Sequence, residues 1–137
     1  MFYYIKLIID NLHNIIDHFM KHIIHRFSNI PSSIHFSIGS NAQENTYLID
    51  LANRTDIWFH AQDYPSCHVI AQIPNHIHLT KKQIMTIVKM GANICKTHTN
   101  KLKNEKSLVI TYTQVKHISK SEKDGTVFTS NTKSYVV

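Results

Sequence analysis

The side chains best suited to chemistry fall within thirteen consecutive residues, Asp56 to His68. This stretch holds the single tryptophan, Trp58, with two histidines, His60 and His68, and two carboxylates, Asp56 and Asp63. Imidazole changes charge near neutral pH, so a pair of histidines beside carboxylates has the makings of an acid–base set for phosphoryl chemistry. The same groups also suit binding without reaction. An indole is a flat platform for a nucleobase, and imidazole and carboxylate supply hydrogen bonds. No nucleophile motif, glycine-rich cofactor loop or metal-ligand spacing accompanies them. Non-catalytic binding is therefore the leading reading, with no cofactor and no metal. An RNA-processing or RNA-modifying enzyme using Asp56, His60, Asp63 and His68 is the alternative. A third reading puts Trp58 in the core, where alternation would make Asp56 and His60 a buried pair holding a hairpin.

Positioning these residues requires two β-prone runs on either side of Pro65. Successive strand residues point to opposite faces. Ile57, Phe59 and Ala61 therefore share one face, and Asp56, Trp58 and His60 the other. After the turn, Val69, Ala71 and Ile73 alternate with His68, Ile70 and Gln72. Antiparallel pairing of the runs brings His60 and His68 together across the loop.

The net charge is +6, and it is unevenly placed. Residues 1–80 carry four basic and six acidic side chains; residues 81–137 carry eleven lysines against three acids. A polyanion is a natural partner for the second half. Lys82, Lys89 and Lys96 recur every seven residues, so they line up along one helix, with Lys116 and Lys120 following a later strand. These lysines and the hairpin are expected to form one cationic surface. Lysine outnumbers arginine, which points to phosphate contact more than base reading. The ordinary alternative is a solvated lysine coat.

A hydrophobic content of 42% excludes a disordered chain, and 137 residues suit one core. Residues 1–30 read as an amphipathic helical extension, with Ile5, Ile8, Ile9, Leu12, Ile15, Ile16, Phe19, Ile23 and Ile24 at helical spacing. Asp10 interrupts the apolar run, so the segment resembles neither a membrane span nor a signal peptide. Self-association through this helix is one expected use. His18, His22 and His25 would share a helix face, but no carboxylate completes a zinc site. Residues 31–137 form the domain proper. Asn41 with Glu44, and Thr80 with Gln83, have capping-box spacing before two helices. Leu108 to Val115 reads as a strand continuing to Lys120, Asp124-Gly125 as a turn, and two short strands close the chain. Cys67 and Cys95 have no metal spacing and suit a reducing, cytoplasmic setting.

The run D-I-W-F-H-x-x-D-x-P-x-x-H-V from Asp56 to Val69 resembles the signature of the NFACT-R domain, an RNA-binding module of ribosome quality-control proteins. Three further blocks are similar to that family in order. They are Gly39-Ser40-Asn41 with Asn45, then Val109-Thr111-Tyr112-Thr113 with Lys116 and Lys120, then Gly125-Thr126-Val127 with Lys133-Ser134-Tyr135-Val136. Ser66 stands where the family usually has glycine, Cys67 where it has serine, and Ser134 where it often has threonine. The resemblance implies binding of tRNA or ribosomal RNA in translation, with the ribosome as a further partner. It does not imply tail synthesis, whose other domains do not fit in 137 residues. The expected RNA-contacting residues are Asp56, Trp58, His60, Asp63, His68, Lys82, Lys89, Lys96, Lys116 and Lys120. The expected fold is α+β: a mixed or antiparallel sheet of about five strands packed with two long helices, plus the N-terminal helix.

Overall fold

A computed structural model describes residues 2–137. The side chains of residues 2, 3, 13, 14 and 16–19 lie outside the described residues, and with them Ile16, Phe19 and His18 of the expected stripe and histidine face. Helix α1 (Phe2–Phe19) leads into β1 (Lys21–His25), β2 (Ile34–Gly39), α2 (Ala42–Leu51), β3 (Ile57–Ala61), β4 (His68–Ala71) and α3 (Lys81–Thr97). β5 (Val109–Gln114), a 3-10 turn (Val115–His117), β6 (Ile118–Lys120), β7 (Val127–Thr129) and β8 (Lys133–Val136) follow.

The fold is α+β, as expected, and every strand pairing is antiparallel. The main sheet has six strands in the order β1-β2-β4-β3-β5-β8, and β6-β7 form a separate ribbon. Two expectations are corrected here. The count of about five strands is low, because residues 21–25 leave helical geometry and become an edge strand, with Ile23 opposite Phe36. Apolar spacing alone carried the expected helix past Phe19. The ladder with β2 wins there, and Ile23 and Ile24 are β-branched residues that suit it. His22 and His25 consequently sit on a strand, not on a helix with His18. The second correction concerns length. α3 has 17 residues but α2 only 10, so one of the two domain helices is long.

The caps follow the sequence. Glu44 N–H donates to Asn41 Oδ1 at 2.9 Å, and Glu44 reaches back to the Ser40 amide. Thr80 and Gln83 form a complete capping box. Beyond β5, residues 115–117 turn as a 3-10 segment instead of continuing the strand, which sends β6 onto the second ribbon.

Each sheet face carries its own core. Phe36, Phe59, Val69 and Ile110 pack under Ile87, Val88, Ala92 and Cys95 of α3. Trp58 and Ile70 pack on the other face with Tyr47 and Leu48 of α2, Val115 and Met20. Helix α3 lies close against the sheet because Gly91 has no side chain; a Cβ there would come within 2.3 Å of the Phe59 ring. The sheet thus separates α3 from Trp58.

Candidate nucleic-acid interface

The β3–β4 hairpin has the predicted alternation. Trp58 lies opposite Ile70 and Phe59 opposite Val69, so His60 and His68 follow at the loop end. Their ring centroids are 4.9 Å apart, edge to face. Trp58 stacks parallel to His60 at 5.7 Å, with 5° between the planes.

The proton positions follow from donor chemistry. Indole N–H can only donate, and Trp58 Nε1 lies 3.1 Å from His68 Nδ1, so Nδ1 accepts and His68 is neutral with its proton on Nε2. Burial, reinforced by the charge of neighbouring His60, pushes the His68 pKa down from 6.5 to about 3. His60 Nδ1 lies 2.7 Å from the Ala61 carbonyl, to which it donates, leaving Nε2 as the acceptor of the ring. Burial lowers the His60 pKa as well, against the opposing pull of that carbonyl. Both imidazoles are therefore held towards the neutral form.

The turn between the strands is also fixed. Asp63 takes φ 64°, a left-handed conformation that aspartate tolerates better than most residues. Ser66, in the position of the family's glycine, keeps a non-positive φ. Its hydroxyl accepts from Ala61 N–H at 2.9 Å and donates to the Cys67 carbonyl. A side chain here closes the turn instead of obstructing it.

A cleft of about 540 Å³ opens at this end of the hairpin. Trp58, His60, Asp63 and Tyr64 line one wall, Gly125, Thr126 and Val127 another. Two blocks more than fifty residues apart in sequence thus meet here. Gly125 has φ 78° and its backbone rests on Ala42 of α2, where a Cβ would lie 2.9 Å from the Ala42 Cα. Thr46 Oγ1 accepts from the Gly125 amide at 3.0 Å. No lysine or arginine is among the lining residues. Hydrogen-bonding and aromatic groups dominate the cleft, a chemistry suited to a base or sugar more than to phosphate.

Several expected site residues are placed elsewhere. Asp56 is 1% exposed, and its carboxylate accepts from the Asn53 and Ile73 amides at 2.8 and 3.0 Å. Burial raises its pKa while those two amides pull it back down. It sits at the opposite end of β3 from His60 and bonds backbone, not imidazole. The expected four-residue acid–base set and the expected Asp56–His60 pair are both absent. The distance along a strand, about 3.3 Å per residue, keeps them apart.

The lysines do not converge with the cleft either. Lys82, Lys89 and Lys96 are on α3, whose inner side packs on the Phe59 face, so the sheet stands between them and Trp58. Lys120 forms an ion pair with Asp50. Its strand partner is Val127, which places it one strand from the cleft wall. Exposed Lys116 lies at the Asp56 end, its amide bonded to the Arg54 carbonyl. The expected single cationic surface is therefore not assembled, because a helix's side of a sheet is set by its crossover and not by its own residues. Trp58 and His68, at 4% and 3% exposure, present edges to the cleft, while His60 is more open. Exposed Tyr64 and Thr129 join the site without having been named as site residues, and so do Thr111 and Thr126, which stand in the family-like blocks. Tyr64 had a signal in its place in the signature turn, and Thr111 and Thr126 in the family-like blocks; Thr129 had none. Among the described residues, no group of three or more His, Cys, Asp or Glu side chains could hold a metal.

Comparison with known proteins adds three findings. A family model described as the NFACT protein RNA binding domain matches residues 24–134. Rqc2 homolog RqcH of Bacillus subtilis (strain 168) is 29% identical over 90 residues, 65% of this chain but 14% of that protein's length. A solved C-terminal structure of the fibronectin/fibrinogen-binding protein from Streptococcus suis superposes with TM-score 0.62 at 21% identity, covering 76% of this chain and 40% of that one. This last likeness is one of fold.

Proposed function

The chain belongs to the NFACT RNA-binding domain family, and from that premise we propose that it binds RNA through the cleft between the signature turn and the Gly125 turn. tRNA and ribosomal RNA, in a setting of ribosome-associated quality control, are the substrates this reading favours. An unpaired nucleotide enters the cleft. Its base lies against the Tyr64 and His60 rings, and its polar edge or 2′-hydroxyl meets His60 Nε2, Asp63 and the threonines. Trp58 and His68 act from behind, because the indole–imidazole hydrogen bond sets the plane on which His60 stacks. Lys120, one strand from the cleft wall, supplies a phosphate contact at the rim, while Lys116, at the Asp56 end, does not reach it. The lysines of α3 face another direction and add long-range attraction, not direct contact with the bound nucleotide.

The observation that carries this reading is the meeting of Trp58, His60, Asp63 and His68 with Gly125-Thr126-Val127 around one cleft without lysine or arginine. Catalysis by the same histidines finds less support. A histidine with a pKa of about 3 cannot act as a general acid near neutrality, and Asp56 is committed to backbone amides. The test is titration with unmodified tRNA and with ribosomal RNA fragments at several salt concentrations. His60→Ala and Tyr64→Ala should each weaken binding about tenfold, in line with the loss of one stacked base. The slope of affinity against salt should not change, since no phosphate contact is removed. Wild-type affinity in both variants would overturn the assignment.

A further inference from the structure

Helix α1 presents an apolar surface that the domain does not cover. Tyr4, Ile8 and Ile15 are 69%, 66% and 55% exposed, and Ile5, Leu7, Ile9 and Leu12 are exposed with them. Among the described residues, neither buried core includes a side chain of α1. The helix is nevertheless tightly joined to the domain. Only Met20 separates it from β1, and Met20 is buried in the Trp58 core.

From the spacing and the area we infer that α1 is the seam through which two copies of this chain pair. Ile5, Ile8, Leu12 and Ile15 alternate steps of three and four, the a/d repeat of a helix that packs on another helix. Tyr4 and Ile9 flank this seam and broaden it. Six large apolar side chains, Tyr4, Ile5, Ile8, Ile9, Leu12 and Ile15, each 45–69% exposed, lie along this seam, an area of the order that each partner contributes to a standard interface, ~800 Å². A monomer rarely leaves a contiguous apolar patch larger than a few hundred Å² uncovered. The charge on the helix argues for a protein partner over a lipid surface. By sequence α1 carries one lysine, Lys6, against two aspartates, Asp10 and Asp17, where a membrane-surface helix has an excess of Lys and Arg. No helix among the described residues is long and apolar enough to cross a membrane.

Sedimentation equilibrium of the whole chain over a range of concentrations is the test. The mass should rise from 15.9 kDa towards twice that value as concentration increases. In Ile8→Lys/Ile15→Lys it should stay at 15.9 kDa throughout, with an unchanged circular dichroism spectrum. Asp10→Lys, on the polar side, should pair like the wild type. A second measurement does not depend on how the double variant folds. Leu12→Cys, at the seam, should be linked between copies by a short bis-maleimide, and Lys6→Cys should not. A wild-type mass that never departs from the monomer overturns the inference, as does pairing that survives the double substitution. So does a monomer that cosediments through α1 with phosphatidylglycerol vesicles, which would assign the face to lipid.

Discussion

Among single residues, His68 and Asp56 fix the hairpin in different ways. His68 accepts the Trp58 indole proton inside the core, so protonating it breaks that bond and buries a charge. Its folded pKa, about 3, lies below the 6.5 of the free side chain. Between those values the unfolded chain binds a proton that the folded chain refuses. The stability contribution is complete above pH 6.5 and declines as pH falls towards 3. Its full size is on the order of a few kcal/mol. His60, shifted in the same direction, adds to the slope. Urea unfolding at pH 7 and pH 4.5 should show a loss of stability that is much smaller in His68→Asn, whose amide oxygen can still accept from the indole. Equal losses in the two proteins would count against this account of the tautomer. Asp56→Ala strips both partners from the Asn53 and Ile73 amides and should cost about 2–4 kcal/mol in the same assay. A loss below about 1 kcal/mol would mean that water or neighbours replace it. The role of Asp56 was not legible in its sequence neighbourhood, since Ile73 comes from the far end of the hairpin. The closeness of His60 and His68 was legible, because a strand period of two is a local property.

Among the elements, the joints that matter are those where backbone meets backbone or ring. Gly91→Ala would drive a methyl into Phe59, and α3 must lift or the ring must leave its rotamer. Overpacking of this kind costs about 1–3 kcal/mol. The thermal midpoint should fall, even though alanine is the better helix former. Gly125→Ala strains a left-handed turn against Ala42 and should loosen the cleft wall, weakening RNA binding more than it lowers the melting temperature. The two capped helices were legible because Asn41, Glu44, Thr80 and Gln83 act within one turn of chain. β1 was not, since its conformation depends on pairing with residues 34–38, and apolar spacing alone favours continuing α1.

In the molecule as a whole, the separation of charge from chemistry governs the account. The α3 lysines, Lys82, Lys89 and Lys96, lie on one side of the sheet, while the signature cleft opens on the other. That division could not be read from composition, which records how many lysines there are but not which layer carries them. The pairing of Lys120 with Asp50, 70 residues away, was hidden for the same reason. Converting Lys82, Lys89 and Lys96 to Glu should lower RNA affinity and flatten its salt dependence through the overall field. Discrimination between RNA sequences should survive. The most direct measurement is ultraviolet crosslinking of the folded protein to bound RNA, with the linked residues identified by mass spectrometry. Adducts on Tyr64, His60 or Trp58, lost on competition with excess unlabelled RNA, are the predicted result. Adducts confined to α3, with the cleft peptides unmodified, would contradict it.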